Sequence, residues 1–455
     1  MKQISPARKA AFAILLAVER GRGHSDDLLR AQAVAALTEP DRGLATALVL
    51  GVLRWQIALD ELVRPLLKRP GAKLDLEVRV ALRLGAYQLL HMDRIPARAA
   101  IDESVELAKA AGHRFASTMI NAVLRRLAEE ARTDPDSAQE LSAHPAWMAD
   151  RWRRFFGADC ACAICAHDQK QPTLSVRFER PETEQELAAE GVELAPGRLL
   201  RSARVVLSGN VSETEAFRAG RVRIQDEGSQ LVAEIAGHGS SILDCCAAPG
   251  GKTLVLAERN AQAHIVACEA SPARLEALRH RLAPLGERVE CRLADATALD
   301  SQAEFDLVLA DVPCSGTGTL GRNPEIRHQL ALEDLERQAT RQRAILIAAL
   351  NTVRSGGRVV YSTCSLEPEE NEQVVERVLH ESPHACIVPI QARIDEMDRE
   401  GILMPGAADA LKTGTTAEGY LRLFPGTFGT DGFFVAVLGK PAEPAHHSGG
   451  SLSSA

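Results

Sequence analysis

Apolar side chains recur every three or four positions through the first part of the chain. The stretches Ala11-Phe12-Ala13-Ile14-Leu15-Leu16, Leu44 to Ile57, Val78 to Leu90 and Met119 to Leu127 all carry this spacing, which predicts amphipathic helices. Breaks at Pro40, Pro70-Gly71 and Pro96 separate them, and no strand-like alternation intervenes. The pattern predicts an all-α domain of roughly five to seven helices over residues 1–133.

A polar link begins at Asp134-Pro135, and an amphipathic helix follows from Trp147 to Phe156. Short strand signals at Leu174 to Phe178 and Arg204 to Leu207 then mix with turns, which predicts a small α+β linking domain over 145–237. Beyond it the period changes. Strand candidates Ile242–Cys246, His264–Glu269, Val289–Leu293, Phe305–Ala310 and Arg358–Ser362 alternate with helical stretches at Thr253–Glu258, Pro272–Leu285, Leu332–Val353 and Asn371–Leu379. Such βαβ repetition predicts a Rossmann-like α/β domain with a parallel sheet over 238–440. A last strand, Phe433–Leu438, follows no clear crossover helix and is expected to insert antiparallel. Residues 441–455 hold Pro, His, Gly and Ser without periodicity and read as a disordered tail.

Charge sharpens this division. The whole chain carries a net charge of −8, yet Met1 to Arg132 holds 21 Lys+Arg against 15 Asp+Glu, leaving 32 against 46 for the rest. A basic front on an acidic body points to an anionic partner for the front. The ten cysteines form no evenly spaced framework, which favours a reducing cytosol and free thiols. The apolar run Ala10 to Val18 resembles a secretion signal, but Glu19-Arg20-Gly21-Arg22 follows with no small-residue cleavage site. No apolar run approaches the ~20 residues of a membrane span, so neither membrane association nor export is expected.

Candidate chemistry gathers at strand ends. The first strand of the α/β domain runs into Cys246-Ala247-Ala248-Pro249-Gly250-Gly251-Lys252. A small-residue turn there lets a ligand approach the backbone, but the spacing is neither a dinucleotide fingerprint nor a phosphate loop. The second strand ends in Glu269, placed to accept hydrogen bonds from ribose hydroxyls. The third leads to Asp295, placed to accept one from an adenine amino group. Ribose and adenine without room for pyrophosphate point to S-adenosylmethionine.

Two further strands deliver Cys314 and Cys364 to the same edge, one after Asp311-Val312-Pro313 and the other after Ser362-Thr363. A methyl donor beside two thiols suits methylation of a pyrimidine at C5. That carbon becomes nucleophilic only after a thiolate adds to C6, which splits one hard step into easier ones. The acids at Pro368-Glu369-Glu370-Asn371-Glu372 read as a first helical turn, whose N-terminus favours a thiolate. Asp311 is placed to hold cytosine N3 and its amine. The placement does not by itself say which cysteine attacks. Cys245, Cys246, Cys268 and Cys291 read as strand packing. Cys160, Cys162 and Cys165 form C-x-C-x-x-C near His167, but no complementary pair exists, so no metal is expected.

Over these residues the chain resembles the RNA cytosine-C5 methyltransferases. The resemblance rests on Cys246 to Lys252, on Asp311-Val312-Pro313-Cys314-Ser315-Gly316-Thr317-Gly318, on Ser362-Thr363-Cys364-Ser365 with Glu370-Asn371-Glu372, and on Asp431-Gly432-Phe433-Phe434. The helical front resembles the NusB-like RNA-binding domain. Together they point to the RsmB (Fmu/Sun) 16S ribosomal RNA methyltransferases, over nearly the whole chain except the tail. The resemblance implies a class I methyltransferase domain, with Cys364 as nucleophile, Cys314 assisting product release, and Asp311 in the catalytic set. It also implies S-adenosylmethionine held by Cys246, Ala247, Ala248, Pro249, Gly250, Gly251, Lys252, Glu269, Asp295 and Asp311.

Glu269 stands where Asp is more usual. Gly321 to Arg327 departs from the subfamily's Arg-His-Pro-Asp, in a loop expected to touch RNA. The expected partner is 16S rRNA, met by a monomer that grips phosphates through Arg125, Arg126, Arg151, Arg153 and Arg154. Two alternatives are a transfer-RNA cytosine-C5 methyltransferase, which the NusB-like front disfavours, and an RNA-binding assembly factor with secondary catalysis. Intact Cys364, Cys314 and Asp311 disfavour the latter.

Overall fold

The computed structural model describes residues 4–71, 73–133, 143–178, 180–299 and 304–441. The polar link after Asp134 and, beyond Pro441, the tail expected over 441–455 lie outside them. The chain gathers into two compact units: Met1–Pro172 with Thr319–Leu330, and Thr173–Gly318 with Ala331–Ala455.

The first unit is helical. Its helices begin with Pro6–Glu19, Ser25–Arg30, Gln32–Ala35, Glu39–Val63, Leu76–His91, Ala97–Ala110 and Ser117–Thr133. Pro6 and Pro40 sit in first turns, where a missing N–H costs nothing. The Thr38 hydroxyl accepts the Asp41 N–H at the N-terminus of the long helix. The apolar stripes meet in one core that buries Leu15, Leu48, Leu53, Leu59, Leu82, Leu84 and Ile120, each burial stabilising by about 2 kcal/mol. Contrary to the expectation of no such run, Glu39–Leu66 is long and apolar enough to cross a membrane by length and composition. Packing accounts for that composition, because its apolar face supplies Leu48, Val49, Val52, Leu53 and Leu59 to the core. Helices Ala146–Phe156 and Ala158–Asp168, which the pattern groups with the linking piece from 145, belong to this unit.

The segment Thr319–Leu330 also packs here. Arg327 is almost fully buried. Its Nη1 donates to the Arg54 and Ala143 carbonyls at 3.3 and 3.1 Å, and its Nη2 to the Leu320 carbonyl at 3.2 Å. Arg54 returns a bond to the Gly321 carbonyl at 2.8 Å. The buried Glu325 carboxylate accepts from the Ser25 N–H and hydroxyl at 3.0 and 2.8 Å. His328 Nε2 donates to the Leu53 carbonyl at 2.7 Å. Expected as part of an RNA-touching loop, Arg327 instead faces inward, where backbone carbonyls from several segments satisfy its buried guanidinium.

The second unit carries two sheets. Strands β1 (Leu174–Arg177), β2 (Glu193–Pro196), β3 (Ala203–Ser208) and β4 (Arg223–Ile224) form an antiparallel sheet of order β2-β3-β1-β4. It is tied to helices Glu227–Ala236 and Gly251–Arg259 by buried Arg177, whose guanidinium pairs with Glu234 and Glu258 at 2.8 Å each. The larger sheet contains β5 (Ser241–Asp244), β6 (His264–Glu269), β7 (Val289–Leu293), β8 (Phe305–Asp311), β9 (Val353–Thr363), β10 (Cys386–Ile387), β11 (Leu421–Leu423) and β12 (Phe433–Gly439). Its order is β10-β12-β9-β8-β5-β6-β7, with β11 beside β12. Pairings among β5 to β9 are parallel, and β12 runs antiparallel to β9 as expected. The end of β9, Val359 to Thr363, is buried throughout, as a central strand covered by helices on both faces should be.

Candidate active site

The sheet order reverses at β5, with β6 on one side and β8 on the other. A crevice opens outside the carboxyl ends of strands at such a point. A cavity of about 240 Å³ lies there, lined among others by Cys246, Ala248, Glu269, Asp311, Cys314 and Cys364. Strands β5, β6, β8 and β9 thus bring together six of the twelve residues singled out from sequence.

On the β5–β6 side, the turn after β5 is pinned to its neighbours. The Cys245 N–H donates to the Leu309 carbonyl and the Ala247 N–H to the Cys268 carbonyl, at 2.9 and 2.8 Å. Gly250 takes a φ of +99° at the helix start, a conformation open to glycine. Glu269 Oε1 accepts the Ser271 N–H at 2.8 Å, and Arg274 lies 3.5 Å from its other oxygen while donating to the Ala248 carbonyl at 3.0 Å. Ala294 and Ala296 line the cavity, whereas Asp295 between them is exposed and outside its lining. Asp295 Oδ1 accepts from the Thr297 N–H and hydroxyl, both at 2.9 Å, which holds its carboxyl below the usual carboxylate range. Ala247, Pro249, Gly250 and Gly251 shape the turn without lining the cavity.

On the β8–β9 side, Cys314 Sγ and Cys364 Sγ lie 3.3 Å apart. The hydrogen bond to Cys364 and burial together hold the Cys314 thiol well above the ordinary cysteine range. The two loops are locked to each other. The Gly318 N–H donates to the Cys364 carbonyl at 2.8 Å, and the Gly432 N–H to the Gly318 carbonyl at 2.7 Å. A Cβ on Gly318 would fall 2.6 Å from the Gly432 oxygen, so only glycine fits this close approach. Thr317 accepts the Leu366 N–H at 2.9 Å.

Beneath the thiols sits Glu370, fully buried. Its carboxylate accepts from the Ser315 N–H at 2.8 Å, the Ser365 hydroxyl at 2.5 Å, Gln342 Nε2 at 2.9 Å, and the Ser315 hydroxyl. Ser315 follows Cys314 and Ser365 follows Cys364, so one carboxylate ties both cysteine loops. Asn371 adds a bond to the Ser365 carbonyl at 2.9 Å and accepts from Thr363 at 2.5 Å. These residues read from sequence as the first helical turn. The helix instead starts at Glu372, and Glu370 turns into the core because four donors there satisfy its charge.

Lys252 also acts differently from its place in the motif. Its ammonium pairs with Asp311 Oδ2 at 2.7 Å and lies 5.5 Å from the centre of the Phe433 ring. Burial opposes its charge, but Asp311 and nearby Cys364 more than offset this, so its pKa is raised. Ser362 donates to the other Asp311 oxygen at 2.7 Å. Sequence reasoning missed the inward roles of Glu370, Gln342, Ser315 and Ser362, and the cavity-lining Arg274 and Arg341. The adjoining serines of the two cysteine motifs were the available signal for the first of these.

Comparison with known proteins agrees with this architecture. Residues 235–439 match the family model for 16S rRNA methyltransferase RsmB/F, and residues 5–129 match the NusB family. The chain is 32% identical over 97% of its length to a probable ribosomal RNA small subunit methyltransferase B of Bacillus subtilis, covering 100% of that protein. It is 33% identical over 96% of its length to ribosomal RNA small subunit methyltransferase B of Pseudomonas putida, covering 98% of it. Among solved structures, PH0851 superposes with a TM-score of 0.74 at 23% identity, over 96% of this chain and 100% of that one. NSun6 from Pyrococcus horikoshii superposes with a TM-score of 0.55 at 21% identity, over 67% of this chain and 100% of that one. At these identities the structural likeness concerns the fold.

Proposed function

The chain belongs to the RsmB/F family of 16S rRNA methyltransferases, with a NusB-family front, and we propose that it methylates C5 of a cytosine in 16S rRNA through a covalent adduct on Cys364. The observation that carries this reading is the pair of thiols 3.3 Å apart at the lip of the crevice, beside the Lys252–Asp311 ion pair.

The crevice fits S-adenosylmethionine. Glu269 presents a carboxylate at the end of β6 for the ribose hydroxyls, and Ala248, Ala270, Ala294 and Ala296 offer small apolar walls for the adenine. When bound there, the donor supplies an electrophilic methyl group on a sulfonium. The chain's own residues do the rest. The hydrogen bond to Cys364 and burial raise the Cys314 thiol, and the motif resemblance gives the attacking thiolate to Cys364, within the electrostatic reach of the Lys252 cation. The thiolate adds to C6 of the cytosine, and the electron pair displaced toward C5 takes the methyl group. Asp311, oriented by Lys252 and Ser362, is placed to hold the base's N3 edge as charge develops. Loss of the C5 proton and expulsion of the Cys364 thiolate end the cycle. Cys314, in hydrogen-bond contact with the leaving sulfur, assists that expulsion. The base must leave its stack to reach the thiol.

Bisulfite mapping of ribosomal and transfer RNA from cells lacking the gene tests this. One 5-methylcytosine should disappear from 16S rRNA and return with the wild-type gene but not with Cys364→Ser. Loss confined to transfer RNA, or no loss at all, would sink the assignment.

A further inference from the structure

A second cavity, of about 430 Å³, lies in the same unit as the crevice and is separate from it. Arg358 on its wall stands five residues before Thr363 on β9, roughly 16 Å up an extended strand. Helix Ile390–Arg399 forms another wall with Ala392, Arg393, Glu396 and Arg399, and Val388, Pro389 and Val437 add an apolar one. Capping explains part of this cluster. The last carbonyls of helix Glu227–Ala236 lack partners within the helix. Arg393 donates to those of Glu234 and Ile235 at 2.8 and 3.1 Å, and its Nη1 pairs with Glu396 at 2.7 Å. Arg358 donates from Nε and Nη2 to the Ala236 carbonyl at 3.2 and 2.8 Å, and from Nη2 to the His238 carbonyl at 2.6 Å. Among the described residues, Arg358 Nη1 has no hydrogen-bond partner, and Arg399 has neither a hydrogen bond nor an ion pair. Arg399 is favoured in the last turn of its own helix, but capping does not account for the open cavity beside these two groups.

We propose that this cavity binds a small organic carboxylate, its anionic head held by Arg358 Nη1 and Arg399 and its apolar body against Val388, Pro389 and Val437. Against the charges of Arg358, Arg393 and Arg399 stand two acids, Glu396 and, 3.7 Å from Arg393, Glu400. Asp306, a further acid acting on Arg358, is paired with Arg354. One positive charge is left over. Exposed His238, 3.6 Å from Glu400, adds to it only when protonated. The hydrogen bond and charge of Arg393, with the charges of Arg358 and Arg399, hold Glu396 below the usual carboxylate range, so the cluster already favours a carboxylate. Burial and the neighbouring Arg393 charge depress Arg358, a repulsion that a bound anion relieves. Charge and the apolar wall together select the anion. Guanidinium forks bind carboxylates and phosphates alike, but a phosphomonoester brings two charges to a surplus of one. An RNA phosphodiester would set a hydrated ribose against apolar side chains. The cavity volume falls within the roughly 300–1,000 Å³ usual for small-molecule sites.

The test is calorimetric titration of the full-length protein, saturated with S-adenosylhomocysteine, with hydrocinnamate, a carboxylate on a phenylethyl body. Hydrocinnamate should bind. Its neutral amide and bare acetate should each bind at least about tenfold more weakly, the first for want of the charge-assisted contact and the second for want of apolar burial. Ala392 and Arg399 are exposed helical positions, where substitution leaves the core alone. Ala392→Trp fills the cavity without changing a charge and should abolish binding. Arg399→Glu should weaken it about tenfold or more. Glu396→Gln enlarges the positive surplus and should strengthen it several-fold, a gain that damage to the fold does not produce. Affinity for S-adenosylhomocysteine should stay unchanged in these variants. No binding of hydrocinnamate, or unchanged affinity in Ala392→Trp and Arg399→Glu, would overturn the site. Binding only in the absence of S-adenosylhomocysteine would place the ligand in the donor crevice and overturn it too. About tenfold tighter binding of phenethyl phosphate would overturn the carboxylate in favour of a phosphate head. Displacement of hydrocinnamate by oligouridylate would overturn it in favour of RNA.

Discussion

Cys314 Sγ and Cys364 Sγ lie 3.3 Å apart although 50 residues separate them in the chain, and each is followed by a serine bonded to the same buried carboxylate, Glu370. The distance between the two thiols is therefore held by the fold rather than left to two independent loops.

The two cysteines should fail differently. Cys364→Ser is expected to abolish methyl transfer while donor binding persists, since the serine hydroxyl is far less acidic than a thiol. Cys314→Ala should still attack but release slowly, leaving a covalent RNA–protein adduct visible as a shifted band on a denaturing gel. A variant at Cys364 with undiminished turnover would reverse the assignment.

Glu370→Ala should remove the clamp without touching the donor cavity, whose lining does not include Glu370. A displacement near 1 Å can cost about 100-fold in rate, so kcat should fall between roughly 10- and 100-fold, with donor affinity by calorimetry nearly unchanged. Glu370→Gln should rescue poorly, because its amide would aim donors at the Ser315 N–H or Gln342 Nε2. Equal loss of donor affinity and turnover would point to general unfolding instead.

Arg327→Ala should destabilise the helical unit by about 3 kcal/mol or more, since the Ala143 and Leu320 carbonyls lose their donor and a buried side chain's packing goes with it. Arg327→Lys should recover little, because an ammonium cannot reproduce a planar fork. Denaturant unfolding monitored by circular dichroism checks both.

Acid should weaken the helical unit through its histidines. Burial depresses His91, stacked 4.5 Å from Trp55, and His328, bound to the Leu53 carbonyl, each from 6.5 to about 4. For a depressed pKa the stabilising contribution is full above 6.5 and is lost as pH falls toward 4, because the unfolded chain binds protons first. Melting temperature should therefore drop between those values, and His328→Gln should flatten part of the slope. A pH-independent melting temperature across that window would refute the account.

Much of the fold was legible because it follows from periodicity. Alternation of strands and helices over 238–440 and the 3.6-residue spacing of the front require only local pattern, and the antiparallel final strand followed from the missing crossover helix. The strand-end residues Glu269, Asp311, Cys314 and Cys364 were legible for a related reason: in a parallel sheet the carboxyl edge is where ligands lie, so position along the chain implies position at the edge. Three things required tertiary structure. Asp295 reached the edge by sequence but stands outside the cavity, because its Oδ1 is bound within its own turn. Glu370 read as a helix-start acid, yet its partners Ser315 and Gln342 come from distant segments, and no local rule brings four donors to one carboxylate. Arg327 read as a surface residue of a loop, yet the chain carries it into the helical unit, where Arg54 and Ala143 supply carbonyls from far along the sequence. Local pattern determines which elements form and which side chains reach the sheet's edge; only packing of remote segments decides which buried polar groups find partners, because satisfying a desolvated charge depends on what else is there.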